Sequence, residues 1–439
     1  MTDAKETSLL QALGDRPATR VYTPWTGSLA TWQFGSPDLN RNFLPVTLSA
    51  GSGHADRVLA APGLVSSQGF AAEISAEVPD SEENVFGLLM LAALARTNRD
   101  VDGIVVPRST LERQPLAKVL ASQCYTPTEA IALLRLVLRA HGDYAVARDG
   151  NTTYSVPGEA FYRAVAHQHL WTLEPWIKAA AGHWLQGSHE SMTRLNGVVR
   201  RITRGLRARD YLQVRLRAPE FSYVWDEVMF FLDVVLVELM GAFDVLGRFF
   251  HHLYGIKHDR SISWRRRGKE GWLSALEKHE PRLGFYARPG QPFGDVVDAV
   301  AVLRNLIHDA PPTDEIHDWD GRPGTMVYGA GVLALRLGRE SATLLRAASR
   351  QGGLVSWGLS TRSDEKTVLL DPGLFAEQSL RLGTKAIAEA LGLADRGRLG
   401  GEEIDDVSHW VPPANYQANA AALYGLDRGG YRQERVTFG

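Results

Sequence analysis

The stretch from Val224 to Tyr254 constrains this chain more than any other. It is apolar and long enough to cross a bilayer, yet Asp226, Glu227, Asp233, Glu238, Asp244 and Arg248 interrupt it about once per helical turn. Placing those charges in hydrocarbon would carry a heavy cost, so a membrane span is excluded. The stretch reads instead as a long amphipathic helix of a helical body, ended by Gly255 as a glycine just past a helix C-terminus does. The opening MTDAKETSLLQALGDRP has no basic stretch followed by a long apolar one, so the expected location is cytoplasmic, with no membrane partner.

Composition narrows the chemistry. With 44% hydrophobic and 22% charged residues in 439, the chain has enough apolar matter for two or three cores and is not disordered as a whole. Lys+Arg 48 against Asp+Glu 50 leaves a formal charge of -2, so attraction to a polyanion has to come from local clustering. Cys124 is the single cysteine, which rules out an internal disulfide and a cysteine-rich zinc site.

The expected fold class is mostly α: a C-terminal helical bundle with a small β-hairpin, preceded by an α+β N-terminal region. Residues 1–110 read as a mixed α/β region, with short alternations such as Ala30–Phe34 and a helix opening after Asp80. Residues 111–157 give helix (Leu111–Ser122), helix (Ala130–His141) and a hairpin over Asp149-Gly150-Asn151, the order of a winged helix-turn-helix. Residues 158–219 are a helical connector with a basic face, 220–395 the helical domain, and 396–439 a loop-rich tail. Periodic apolar residues predict helical structure through Phe161–Leu185 and Met192–Leu216, and Met326–Ser349 reads as helical again. Pro281 is expected to end a helix over Trp272–His279, and Asp371-Pro372 to cap a final helix to Leu391. Leu354–Ser360 and Lys366–Leu370 flank a hairpin turn.

The segment Val302-Leu303-Arg304-Asn305-Leu306-Ile307-His308-Asp309 carries the chemistry. On a helix, Arg304 and His308 are four residues apart and share a face. A guanidinium grips phosphate oxygens with its planar fork, and an imidazole titrating near neutrality moves a proton to or from a ribose hydroxyl. With the 2′-hydroxyl as internal nucleophile, RNA cleavage then needs no metal.

This segment resembles the RNxxH signature of the HEPN superfamily of all-helical, nucleic-acid-associated domains, and the resemblance covers residues 220–392. It implies metal-independent endoribonuclease activity without a cofactor, commonly in toxin–antitoxin or antiphage settings. It also implies a homodimer that pairs two motifs, and a restraining antitoxin or regulatory protein as partner. Carried over, Arg304 matches the motif arginine, Asn305 the polar residue beside it and His308 the catalytic histidine. Glu238 or Asp233, on the upstream helix, would orient them. The commoner family spacing is longer by a residue or more, which rotates the histidine by about another 100° around the helix. A member that has lost activity could look the same, so a non-catalytic binding or dimerisation module stays open. So does a winged-helix regulator using residues 111–157.

Two basic clusters point to RNA as partner. One runs Arg200, Arg201, Arg204 and Arg207 at helical spacing, within a stretch that continues to Arg209, Arg215 and Arg217. The other is Arg265-Arg266-Arg267, with Trp264 and Trp272 beside it as candidate base-stacking rings. His167 and His169, with His183 and His189 downstream, lack regular ligand spacing, so no metal is expected. The chain has neither the GxxxxGK[ST] phosphate loop nor a GxSxG nucleophile elbow.

Overall fold

The computed structural model describes residues 158–216, 225–257, 262–265, 271–309, 339–361, 367–400 and 403–424, with the short strands named below and Arg135, Leu136, Arg139 and Tyr144. The chain divides into two compact units: Met1–His141 with Arg428–Gly439, and Gly142–Asp427. The division falls inside the segment 111–157, and it also assigns the last residues of the tail to the first unit.

In the first unit, β1 (Gln33–Phe34), β2 (Leu44–Ser49) and β3 (Ala55–Ala60) form an antiparallel sheet in that order. Strands β4 (Ile104–Val105) and β5 (Cys124–Tyr125) pair in parallel. Arg135, Leu136 and Arg139 are helical. The predicted helices after Asp80 and over Leu111–Ser122 lie outside the described residues.

The second unit opens with β6 (Val146–Arg148) and β7 (Thr152–Tyr154), paired antiparallel across Asp149-Gly150-Asn151 with Val146 opposite Tyr154. The rest is mostly helical: α1 (Gly158–His169), α2 (Leu173–Leu185), α3 (Glu190–Arg215), α4 (Trp225–Leu253), α5 (Trp272–His279), α6 (Pro281–Tyr286) and α7 (Pro292–Asp309). Strands β8 (Met326–Gly329) and β9 (Val332–Arg336) lead to α8 (Arg339–Arg350). Strands β10 (Leu359–Thr361) and β11 (Thr367–Leu370) lead to α9 (Pro372–Leu393), and α10 (Ala414–Tyr424) follows. None of the helices is long and apolar enough to cross a membrane, among the described residues.

Three expectations are corrected and one is refined. Phe161–Leu185 is helical as two helices, broken at Leu170–Thr172. Pro281 ends α5 but also starts α6, where the missing N–H of a first-turn proline is harmless. Met326–Ser349 is a hairpin followed by a helix, and the expected β10–β11 hairpin adds to it as one sheet, β10-β11-β9-β8. The tail forms α10, which packs against α1.

The frame of this unit is an antiparallel pair, α3 against α4. Gly197 lies against Val245, Arg201 against Gly241, and Tyr211 against Phe231. Helix α9 packs against both members: a Cβ at Gly205 would come 3.2 Å from Leu380, and one at Gly383 would come 2.7 Å from Leu239. The two glycines thus let three backbones approach one another around Leu206, Leu232, Leu236, Leu239 and Leu380, all 0% exposed. Each such side chain contributes about 1.5–3 kcal/mol through removal from water.

An ionic cluster is buried in that frame. Arg209 donates from Nη1 to Asp210 at 2.8 Å and from Nη2 to Glu377 of α9 at 2.9 Å. Tyr162 of α1 donates to Asp210 at 2.9 Å, and the Arg209 guanidinium lies over the Tyr424 ring of α10, 4.8 Å from its centroid. Arg209, read in sequence as part of the basic stretch, therefore faces inward.

Candidate functional site

Helix α7 runs through the core for most of its length. Every residue from Phe293 to Leu303 is buried, whereas Arg304, Asn305, Leu306 and Ile307 are half-buried. The motif thus begins at the turn where the helix leaves the core. It also occupies the C-terminal end, whose partial negative charge favours cationic side chains. The Nε of Arg304 is buried and has no hydrogen-bond partner among the described residues. His308 lies one turn further along the same helix, and its side chain lies outside the described residues.

Helices α3 and α4 bring further charges toward Arg304. Gly241 lacks a side chain where the Arg201 guanidinium lies: a Cβ there would come 2.3 Å from Arg201 Nη1. Arg201 thereby reaches Glu238, donating from Nη1 to Oε2 at 3.0 Å, and Arg204 donates to the other oxygen at 3.5 Å. Glu238, expected as the partner of Arg304 or His308, is engaged by these two α3 arginines. Asp233 is half-buried on α4, eleven residues before Asp244 and on nearly the same face.

Asp244 of α4 lies within the field of Arg304. Although part of its surface meets solvent, crowding by the surrounding helices pushes its carboxyl above the usual carboxylate range, against the pull of Arg248, Arg304 and Arg201. Arg201, Arg204, Arg248 and Arg304 thus gather around Glu238 and Asp244 among the described residues. Arginine forks match the non-bridging oxygens of a phosphodiester.

The basic residues of α3 separate into two groups. Arg200, Arg204 and Arg207 are exposed and Arg201 is half-buried, while Arg209 is sealed in the core and Arg215 pairs with Glu227. Arg265 is exposed, with Nε 3.8 Å from Oδ1 of Asp298 on α7. Arg217, Arg266 and Arg267 lie outside the described residues. The expected stacking rings are corrected: Trp264 and Trp272 are 3% and 1% exposed, packed edge to face, with Trp264 donating to the Phe243 carbonyl. Buried apolar contacts at the end of α4 win over solvent here. His167 and His169 are buried on α1, and His167 meets the Trp410 backbone in the chain that leads to α10.

Sequence reasoning missed the aromatic group Tyr211, Phe230 and Phe231. Its signal was present: Phe230 lies three residues from Glu227 and from Asp233, so it falls in the charged phase of α4. Asp244 was legible as an embedded acid, but its approach to Arg304 depends on how α4 and α7 pack. Comparison with family models, with curated proteins and with solved structures gives no match for this chain.

Proposed function

We propose that the helical unit is HEPN-like and cleaves RNA through Arg304 and His308, without a metal. The reading is supported chiefly by one observation: α7 leaves the core at Arg304, whose buried Nε makes no hydrogen bond among the described residues, beside an arginine-rich surface. In this chemistry Arg304 holds the non-bridging phosphate oxygens and offsets the charge that grows on them. A general base removes the 2′-hydroxyl proton, the 2′-oxygen attacks phosphorus, and the 5′-oxygen leaves with a proton from a general acid. The products are a 2′,3′-cyclic phosphate and a 5′-hydroxyl. His308 supplies one of the two proton transfers, and a second copy of the motif across a homodimer supplies the other. Asn305 positions the phosphate, and an antitoxin-like protein would act by covering this surface.

The test is incubation of RNA with the wild-type chain and with Arg304→Ala and His308→Ala, with EDTA present. Loss of positioned proton transfer lowers the rate by at least about a hundredfold, so both variants should fall by that much while the wild type leaves cyclic-phosphate ends. Equal cleavage by all three proteins overturns the assignment. RNA binding without cleavage by any of them supports the alternative, a non-catalytic HEPN-like binding or dimerisation module.

A further inference from the structure

Arg200, Arg204, Arg207 and Tyr211 recur along α3 at spacings of four, three and four residues, which places them on one face over about 16 Å. The three arginines are exposed. At the far end of this stripe Tyr211 stacks on Phe231 of α4, centroids 5.3 Å apart and planes 22° apart. Phe230 meets Phe231 edge-on and keeps 61% of its surface exposed. The Arg207 guanidinium lies 5.6 Å from the centre of the Tyr211 ring and donates to its hydroxyl at 3.2 Å. Four carboxylates border this face: Glu238 at Arg201 and Arg204, Glu227 at Arg215, and Asp226 and Asp233 about one helical turn to either side of Phe230. Arg200 and Arg207 make no ion pair among the described residues.

We propose that this stripe binds single-stranded RNA, with an unpaired base stacked on Phe230 and the phosphates lying along Arg207, Arg204 and Arg200. An open aromatic face accepts any base, but only one freed from a duplex, because pairing and stacking hide both faces of a base within a helix. Arginines at four- and three-residue spacing follow a phosphate chain rather than a single anion. The arginine end of the stripe adjoins Arg201, which lies against Gly241 of α4, and α4 packs in turn against α7, the helix that carries Arg304. The choice of RNA over other single-stranded polyanions rests on the ribonuclease reading. The geometry of the stripe does not.

The experiment is fluorescence anisotropy of a labelled oligouridylate with the full chain, in a His308→Ala background that keeps the probe intact. Phe230→Ala removes an exposed ring, so circular dichroism should stay unchanged while Kd rises about tenfold. Arg207→Gln should raise Kd several-fold and lower the salt slope by about one. A duplex of equal length should compete poorly. An unchanged Kd in Phe230→Ala, equal affinity for duplex, no binding of oligouridylate, or loss of a protein partner alone in Phe230→Ala each overturns the proposal. Binding through Phe230 with no cleavage would remove the ribonuclease reading and keep this one; cleavage indifferent to Phe230→Ala would do the opposite.

Discussion

Arg209 is the residue on which several helices converge, since Asp210, Glu377 and the Tyr424 ring all surround its guanidinium at 0% exposure. Arg209→Met keeps the length of the side chain but leaves two buried carboxylates facing each other. Breaking a buried ionic group in this way costs about 3–5 kcal/mol, so urea denaturation followed by tryptophan fluorescence should show a matching loss of stability. The role was not legible in the sequence, where Arg209 is one more arginine in a basic run. Its burial depends on Glu377, 168 residues away. Arg304 was legible because helical spacing alone ties it to His308. What surrounds it was not, because Gly241 must first admit Arg201 between α3 and α4 before Glu238 has a partner.

At the scale of elements, the local signals at Asp371 and Gly255 were read correctly because a single residue supplies each of them. Asp371 accepts from the N–H groups of Gly373 at 2.8 Å and Leu374 at 3.1 Å, and Pro372 follows at the first helical position. Asp371→Ala should cost about 1–2 kcal/mol and Asp371→Asn much less, read from thermal unfolding of the two variants. Gly255 is equally local: its φ of +57° is the left-handed turn that ends α4. Strands β8 and β9 were misread as helix because their apolar residues merge with those of α8. The sequence offered Gly329-Ala330-Gly331 as a turn signal between them, and Gly329 lies opposite Val332. The hairpin forms because β11 pairs with β9 from the far side, Leu370 opposite Leu333, which no short window of sequence reveals.

At the scale of the whole helical unit, the segment after α9 wraps back over its beginning. His183 of α2 lies 2.8 Å from the Gly400 carbonyl, Ile404 donates its N–H to the Lys178 carbonyl, and Arg163 of α1 donates to the Trp410 carbonyl at 2.6 Å. His167 is buried on α1. Burial, reinforced by Arg163 and opposed by the Trp410 backbone, lowers it to about 4 from the usual value near 6.5. It is neutral in the folded unit and takes a proton in the unfolded chain below about 6.5. The stability it permits is therefore complete above about pH 6.5 and lost as pH falls toward 4, by about 3 kcal/mol at most. Urea midpoints at pH 7.5 and 4.5 should diverge for the wild type, and His167→Gln should reduce that divergence. Sequence reading treated this segment as tail, since its few apolar residues show no period; its order comes from partners some two hundred residues earlier.

Tyr162 touches both Tyr144, near the entrance of this unit, and Tyr424, near its exit, at ring separations of 5.7 and 6.1 Å. The chain accordingly comes in and goes out beside the same aromatic ring. During synthesis α1 must wait for almost the entire unit to leave the ribosome before its outer cover exists. A nascent chain halted anywhere before α10 would still show the greasy side of α1 to chaperones.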